Sequence, residues 1–182
     1  MENKKPTLIL TVGLSGSGKS TYLKSKYHPD IIVSPDNIRR EFTGNISDHS
    51  QEVRVWNEVR KRVNSALESV GEAVLDATNV DSGLRGKFLK NYPSANKIAL
   101  VFKTDPEVAK QRVAKDLSGN VDRSKVPPEV IDRQYKKLMS GYANLPNQFD
   151  KIEYVTENTL KVESILRKII REEILRIFKK KS

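Results

Sequence analysis

The chain contains no cysteine and only two histidines, His28 and His49. The first absence excludes disulfides and cysteine-ligated zinc. The second leaves too few imidazoles for a histidine metal site. No apolar run approaches the roughly 20 residues that a membrane-spanning helix needs. The first residues, Met1 to Lys5, lead directly into a short apolar stretch that ends in a glycine-rich loop. A secretory signal would need a longer apolar core and a cleavage site. No repeat and no linker divides the sequence. These absences predict a soluble, intracellular (cytoplasmic) protein whose 182 residues form one domain. A chain of this size buries roughly 70% of the surface its unfolded form exposes and needs no covalent staples.

What is abundant is positive charge. Lys and Arg number 33 against 23 Asp and Glu, a formal net charge of +10. Such a balance suggests a polyanionic partner, nucleic acid above all. About half of the excess, however, sits in residues 160–182, which hold eight Lys/Arg and three Glu. A local basic tail is weaker evidence for a binding surface than a basic domain.

Short apolar runs alternate with amphipathic stretches. Thr7–Val12, Ile31–Val33, Ala73–Leu75, Ile98–Phe102 and Ile152–Val155 read as buried strands. Residues 50–69 carry Val53, Trp56, Val59, Val63 and Leu67 three or four apart, the spacing of an amphipathic helix. Residues 82–91, 106–117, 128–143 and 159–180 read as further helices, with a loop rich in Gly, Asn, Asp and Pro over 118–128. This order predicts an α/β architecture: a mostly parallel central sheet flanked by helices, with a lid between two of them.

Between the first strand and the first helix stands Gly13-Leu14-Ser15-Gly16-Ser17-Gly18-Lys19-Ser20, followed by Thr21. It satisfies G-x-x-x-x-G-K-[ST] in full and in the right context, a strand before and a helix after. Gly13, Gly16 and Gly18 let the backbone bend around phosphates without Cβ clashes. The amides of Ser15, Ser17 and their neighbours then point inward as donors, next to a helix N-terminus. Lys19 is expected to reach the β- and γ-phosphates and Ser20 to bind Mg²⁺. The cofactors implied are ATP and Mg²⁺. No N-K-x-D-like element of a GTPase is present, and the chain is small for a motor.

Two carboxylates follow apolar strands, where ligands bind in parallel sheets. Asp36 lies in Ser34-Pro35-Asp36-Asn37-Ile38-Arg39-Arg40, and is either the general base that takes a proton from an acceptor hydroxyl or a helix cap. Arg39, one turn further, either pairs with Asp36 or grips an acceptor phosphate. Asp76 ends Val74-Leu75-Asp76 and is expected to hold Mg²⁺ through water or orient a neighbour, the other reading being a turn residue bonded to its own backbone. Thr78 and Asn79 are expected to line the same cleft. Transfer also needs cations over the migrating phosphoryl group. Arg112 and Arg123 bracket the lid region 112–127 together with Lys125, while Arg85 and Arg133 are weaker candidates.

The set GLSGSGKST, SPDNIRR and LDATN, then a basic loop ending in Val126-Pro127, resembles the phage and bacterial 5′-polynucleotide kinases over roughly residues 7–150. The resemblance implies a P-loop kinase fold and phosphoryl transfer from ATP to the 5′-hydroxyl of DNA or RNA. It implies Asp36 as base, Arg39 on the acceptor's 3′-phosphate, Asp76 in the supporting network and a lid arginine on the ATP phosphates. The family lid often carries two arginines four residues apart. Here Asp116 follows Arg112 at that spacing, so the lid arginine is either Arg112 or Arg123.

Other acceptors fit the same motifs: a nucleoside, another small metabolite, or a hydroxylated base in DNA. A nucleotide-dependent binding switch is a reading of a different class. The last helix, 159–180, is expected first as a core-packing element with a solvated basic face. A nucleic-acid grip or a membrane-surface or oligomer contact are the alternatives.

Overall fold

The computed structural model describes residues 5–119 and 124–179. In chain order they form β1 (Thr7–Val12), α1 (Lys19–Lys26), β2 (Ile32–Val33), α2 (Pro35–Thr43), α3 (Glu52–Ser69), β3 (Glu72–Leu75), α4 (Ser82–Leu89), β4 (Asn96–Lys103), α5 (Pro106–Ser118), α6 (Pro128–Ser140), β5 (Lys151–Thr156) and α7 (Glu157–Lys179). The strands make one sheet of order β2-β3-β1-β4-β5 in which every pairing is parallel.

Parallel strands are covered on both faces and read as unbroken apolar runs, which is what Leu8-Ile9-Leu10 shows. Alternation sends Leu8, Leu10 and Val12 to one side, where they pack with Val55, Val59 and Val63 of α3 and Phe88 of α4. Ile9 goes to the other side, with Leu23 of α1 and with Val74, Leu100 and Phe102. The buried stripe of α3 is Val55, Val59, Val63 and Ala66, rotated from the spacing expected from the sequence. Val53 lies in the first helical turn and is exposed. The second strand is shorter than its apolar run, because Pro29–Ile31 winds into a 3-10 turn before it.

α7 departs furthest from expectation. Leu160, in its first turn, is partly buried against the β1/β4 side of the sheet. Val162, Ile165, Leu166, Ile169 and Ile170 are about half exposed, at 47–58%. At these positions the helix does not pack into the core. The reason is geometric: β5 is an edge strand only six residues long, and α7 runs 23 residues.

All five strands direct their carboxyl ends to one edge. β1 is central, so the loop that follows it is flanked by the ends of β3 and β4. No helix among the described residues is long and apolar enough to cross a membrane.

Candidate active site

The loop after β1 is shaped by its backbone and glycines and held at several points by side chains. The Gly13 amide donates to the Thr78 carbonyl at 2.9 Å, tying it to the segment beyond β3. Gly16 and Gly18 have φ of +80° and +88°. A Cβ on Gly16 would run into the Ala109 carbonyl of α5, and one on Gly13 would sit 2.9 Å from Phe102 Cβ. Both positions therefore need glycine for space, and Gly16 for conformation as well. α1 starts at Lys19 with no side-chain cap at Gly18, and its N-terminal end favours an anion. Lys19 is only 8% exposed. Its ammonium folds back over the loop, donating to Leu14 O at 2.6 Å and Gly13 O at 3.2 Å.

The loop forms one end of a cleft of about 860 Å³. Ser15, Gly16, Gly18, Lys19, Ser20 and Thr21 line it, while Gly13 and Ser17 are buried and do not. Across from them stand Asp76 and Thr78, then Asp36, Asn37 and Arg40 of α2. Burial pushes the Asp76 carboxyl above its ordinary range, with Asp36 adding to the rise. The Ser20 hydroxyl, bonded to it, and the Lys19 charge act the other way. Asn79 does not line the cleft. It adopts φ +46° and donates Nδ2 to Thr11 O at 2.8 Å, stitching the segment after β3 to β1.

Hydroxyl and carboxylate are hard oxygen donors, the chemistry that suits Mg²⁺, which usually takes one or two carboxylates plus phosphate oxygens and water. Ser20 and Asp76 fit that ion. Among the described residues no group of three or more His, Cys, Asp or Glu gathers into an all-protein metal site.

Asp36 is in the first turn of α2, but Ser34 is the cap, accepting from the Asn37 amide. The cap alternative for Asp36 is thereby removed. Its carboxylate is half exposed and accepts from Arg39 Nη1 at 2.6 Å. Arg39 is 4% exposed and does not line the cleft. Its Nε donates to Glu52 of α3 at 2.7 Å, and Nη1 also reaches Ile46 O at 3.2 Å. Burial works against the guanidinium charge, yet Glu52 and Asp36 together raise its pKa above the ordinary value. For Glu52, burial pushes upward, but the bond from Arg39 holds the carboxyl below its usual range. In this geometry Arg39 holds Asp36, while the arginine of α2 that lines the cleft is Arg40.

The far wall comes from α5 and α7. Arg112 lines the cleft, its two terminal nitrogens on Glu157 at 3.1 and 2.6 Å. Thr104 donates to the same carboxylate at 3.1 Å. Leu160 leans over Gly18. Ser124 and Val126 close another side, with the Lys125 amide on Ser47 Oγ at 3.2 Å. Arg123 lies outside the described residues. Arg85 is buried off the cleft, bonded to Gln148 and Asn79 O, and Arg133 is exposed away from it. Sequence reasoning missed Glu52, Gln134, Glu157 and Leu160. Only Glu157 carried a signal, its place at the carboxyl end of β5.

A parallel sheet with a phosphate loop after its central strand, and a polar cleft across the strand ends, is the P-loop kinase fold. Solved structures agree. A chain of the Pnkp1/Rnl/Hen1 RNA repair complex superposes with a TM-score of 0.69 at 24% identity, over 79% of this chain and 48% of that one. In a second structure of the Pnkp1/Rnl/Hen1 complex the values are 0.53, 28%, 62% and 41%. Shikimate kinase from Acinetobacter baumannii, in complex with shikimate, gives a TM-score of 0.53 at 16% identity, over 92% and 94% of the two chains. A family model described as an AAA domain matches residues 8–140, and the chain belongs to that family. The resemblance to P-loop polynucleotide kinases seen in the motifs is borne out at this level of family and fold. The chain spans less than half the length of the RNA repair chains it matches. A search of curated proteins finds no match.

Proposed function

We propose that the chain is an ATP-dependent kinase that transfers the γ-phosphoryl group to the 5′-hydroxyl of a polynucleotide. The observation that carries this reading is the pairing of two unlike ends in one cleft. One end is a glycine-built phosphate loop with Lys19, Ser20 and Asp76. The other is a solvent-reaching carboxylate, Asp36, fixed by a buried arginine.

On this reading the loop amides and Lys19 bind the ATP phosphates. Lys19 must leave the Leu14 and Gly13 carbonyls to do so. Ser20 and Asp76 hold Mg²⁺, which when bound neutralises charge on the β- and γ-phosphates. Asp36 accepts the proton of the acceptor hydroxyl, and its bond to Arg39 fixes the direction of its free oxygen. Arg112, which lines the cleft and is oriented by Glu157, supplies the further cation over the migrating phosphoryl group. Lys24 and Arg40 line the cleft and favour an acceptor that carries phosphate. The RNA repair chains among the structural neighbours support the same class of acceptor. The similarity to shikimate kinase over nearly the whole chain favours a second reading, a small hydroxylated metabolite in the same place.

The test is transfer of labelled γ-phosphate from ATP·Mg²⁺ to a 5′-hydroxyl oligonucleotide, with a 5′-phosphorylated one as control. Transfer to the first alone is expected, and Asp36→Asn should abolish it while leaving ATP affinity intact. Transfer to small hydroxyl compounds only would favour the second reading. An active Asp36→Asn enzyme would remove Asp36 as the base.

A further inference from the structure

Gln134 belongs to none of the motifs above, yet it is the side chain that grips the phosphate loop at Ser15. It lies on α6 between two buried residues, Ile131 three positions before it and Leu138 four after it. That spacing puts all three on one face of the helix. A polar residue on a face that packs into the protein must find partners. Gln134 finds both on Ser15: Oε1 accepts from the Ser15 amide at 2.9 Å, and Nε2 donates to Ser15 Oγ at 3.1 Å. The orientation of the carboxamide follows from chemistry, because a backbone N–H can only donate and so requires the oxygen.

The pair of bonds has a consequence for the hydroxyl proton. With Nε2 donating into the Ser15 oxygen, the serine hydrogen is left to point elsewhere, and Ser15 lines the cleft. The Ser15 amide, meanwhile, is taken by Gln134 rather than offered to a ligand. We infer that Gln134 is a positioning residue that turns Ser15 from an amide donor into a hydroxyl donor aimed at the transferred phosphoryl group. This rests on the kinase reading above. A donor fixed before the reaction stabilises charge that develops on phosphoryl oxygens without reorganising at the moment of transfer.

Four variants test it: Gln134→Leu, Gln134→Glu, Ser15→Ala, and Gln134→Leu with Ser15→Ala. Each is assayed for melting temperature, affinity for ATP and ADP, and kcat and KM of transfer to a 5′-hydroxyl oligonucleotide. Gln134→Leu and Ser15→Ala should each lower kcat by about 100-fold, the usual cost of one such donor, with acceptor KM unchanged. The double variant should be no slower than either single one. Gln134→Glu is the discriminating case. A carboxylate still accepts from the Ser15 amide, so the loop keeps its support, but it draws the hydroxyl proton to itself. Its melting temperature should match the unaltered protein. Because the added charge also weakens ATP binding, kcat is read at saturating ATP, where it should fall as in Gln134→Leu. Additive losses in the double variant, or full activity in Gln134→Glu, would overturn the inference. If the unaltered protein phosphorylates no oligonucleotide, the polynucleotide reading fails by itself. The same four variants then report through ATP hydrolysis, where the same non-additive pattern is expected and additivity overturns the inference.

Discussion

The two ends of the cleft are built by different means. The donor end is mostly backbone: Gly13 anchored to Thr78, Gly16 against the Ala109 carbonyl, and the N-terminus of α1, which has no side-chain cap. The acceptor end is side chain: Asp36, Arg39 and Glu52, drawn from two helices and joined by charge-assisted bonds. A backbone site tolerates no added atom but is indifferent to distant charge. A side-chain site tolerates changes of shape but depends on each charge finding its counterpart. Substitutions should therefore fail for steric reasons at one end and electrostatic reasons at the other.

The largest effect is expected at Gly16. An alanine there meets both a positive φ and the Ala109 carbonyl. The conformation alone costs about 1–3 kcal/mol, and with the loop displaced ATP affinity should fall by about 100-fold, as titration calorimetry would register. Gly44, at the end of α2, has a similar φ of +73° but nothing near its Cβ direction. Gly44→Ala should cost about 1 kcal/mol and leave ATP affinity unchanged. Equal losses of affinity at both positions would break the steric account of the donor end.

A smaller effect, of the other kind, is expected for Glu52→Gln. The shape is kept, but Arg39 loses one of two counter-charges while nearly fully buried. Denaturant titration should show a loss of about 1–3 kcal/mol at neutral pH, and kcat should fall because Asp36 is less firmly held. The sign of the pH dependence is fixed by the depressed Glu52 carboxyl. The advantage over Glu52→Gln is full above the ordinary 4.5 and fades as the pH drops through the lower folded value. A gap between the two proteins that widens in acid would contradict the ion-pair account. The smallest effect belongs to Ser34→Ala. It removes the cap of the helix that carries Asp36 and should cost about 0.5–1 kcal/mol, with ATP affinity unaffected.

The same contrast explains how much was legible in the sequence. Gly13 to Ser20 could be read at once, because a backbone cradle needs particular residues at fixed spacing within one segment. Asp36 and Asp76 were legible as acids at strand ends, and the parallel sheet followed from alternating short apolar runs. Glu52 and Gln134 were not, since each meets its partner only after helices distant in sequence have packed: 13 residues separate Glu52 from Arg39, and 119 separate Gln134 from Ser15. The local pattern leaves Arg39 open between pairing with Asp36 and gripping a phosphate; the pair is formed, but its burial and its bond to Glu52 leave no trace in the sequence around it. The rotation of the α3 stripe onto Val55, and the exposure of Val162, Ile165, Leu166, Ile169 and Ile170 on α7, came from packing that periodicity alone does not define.

The folded-back Lys19 has a consequence for which anions the cleft rewards. Its ammonium already holds two carbonyls, so moving it means giving up bonds as well as gaining them. A short anion that touches only the loop amides leaves the lysine where it is and gathers only part of the available attraction. A polyphosphate long enough to meet amides and ammonium together gathers both in one binding event. A polyphosphate is therefore expected to bind more tightly than inorganic phosphate by more than its added charge alone would give, which competition between the two would register.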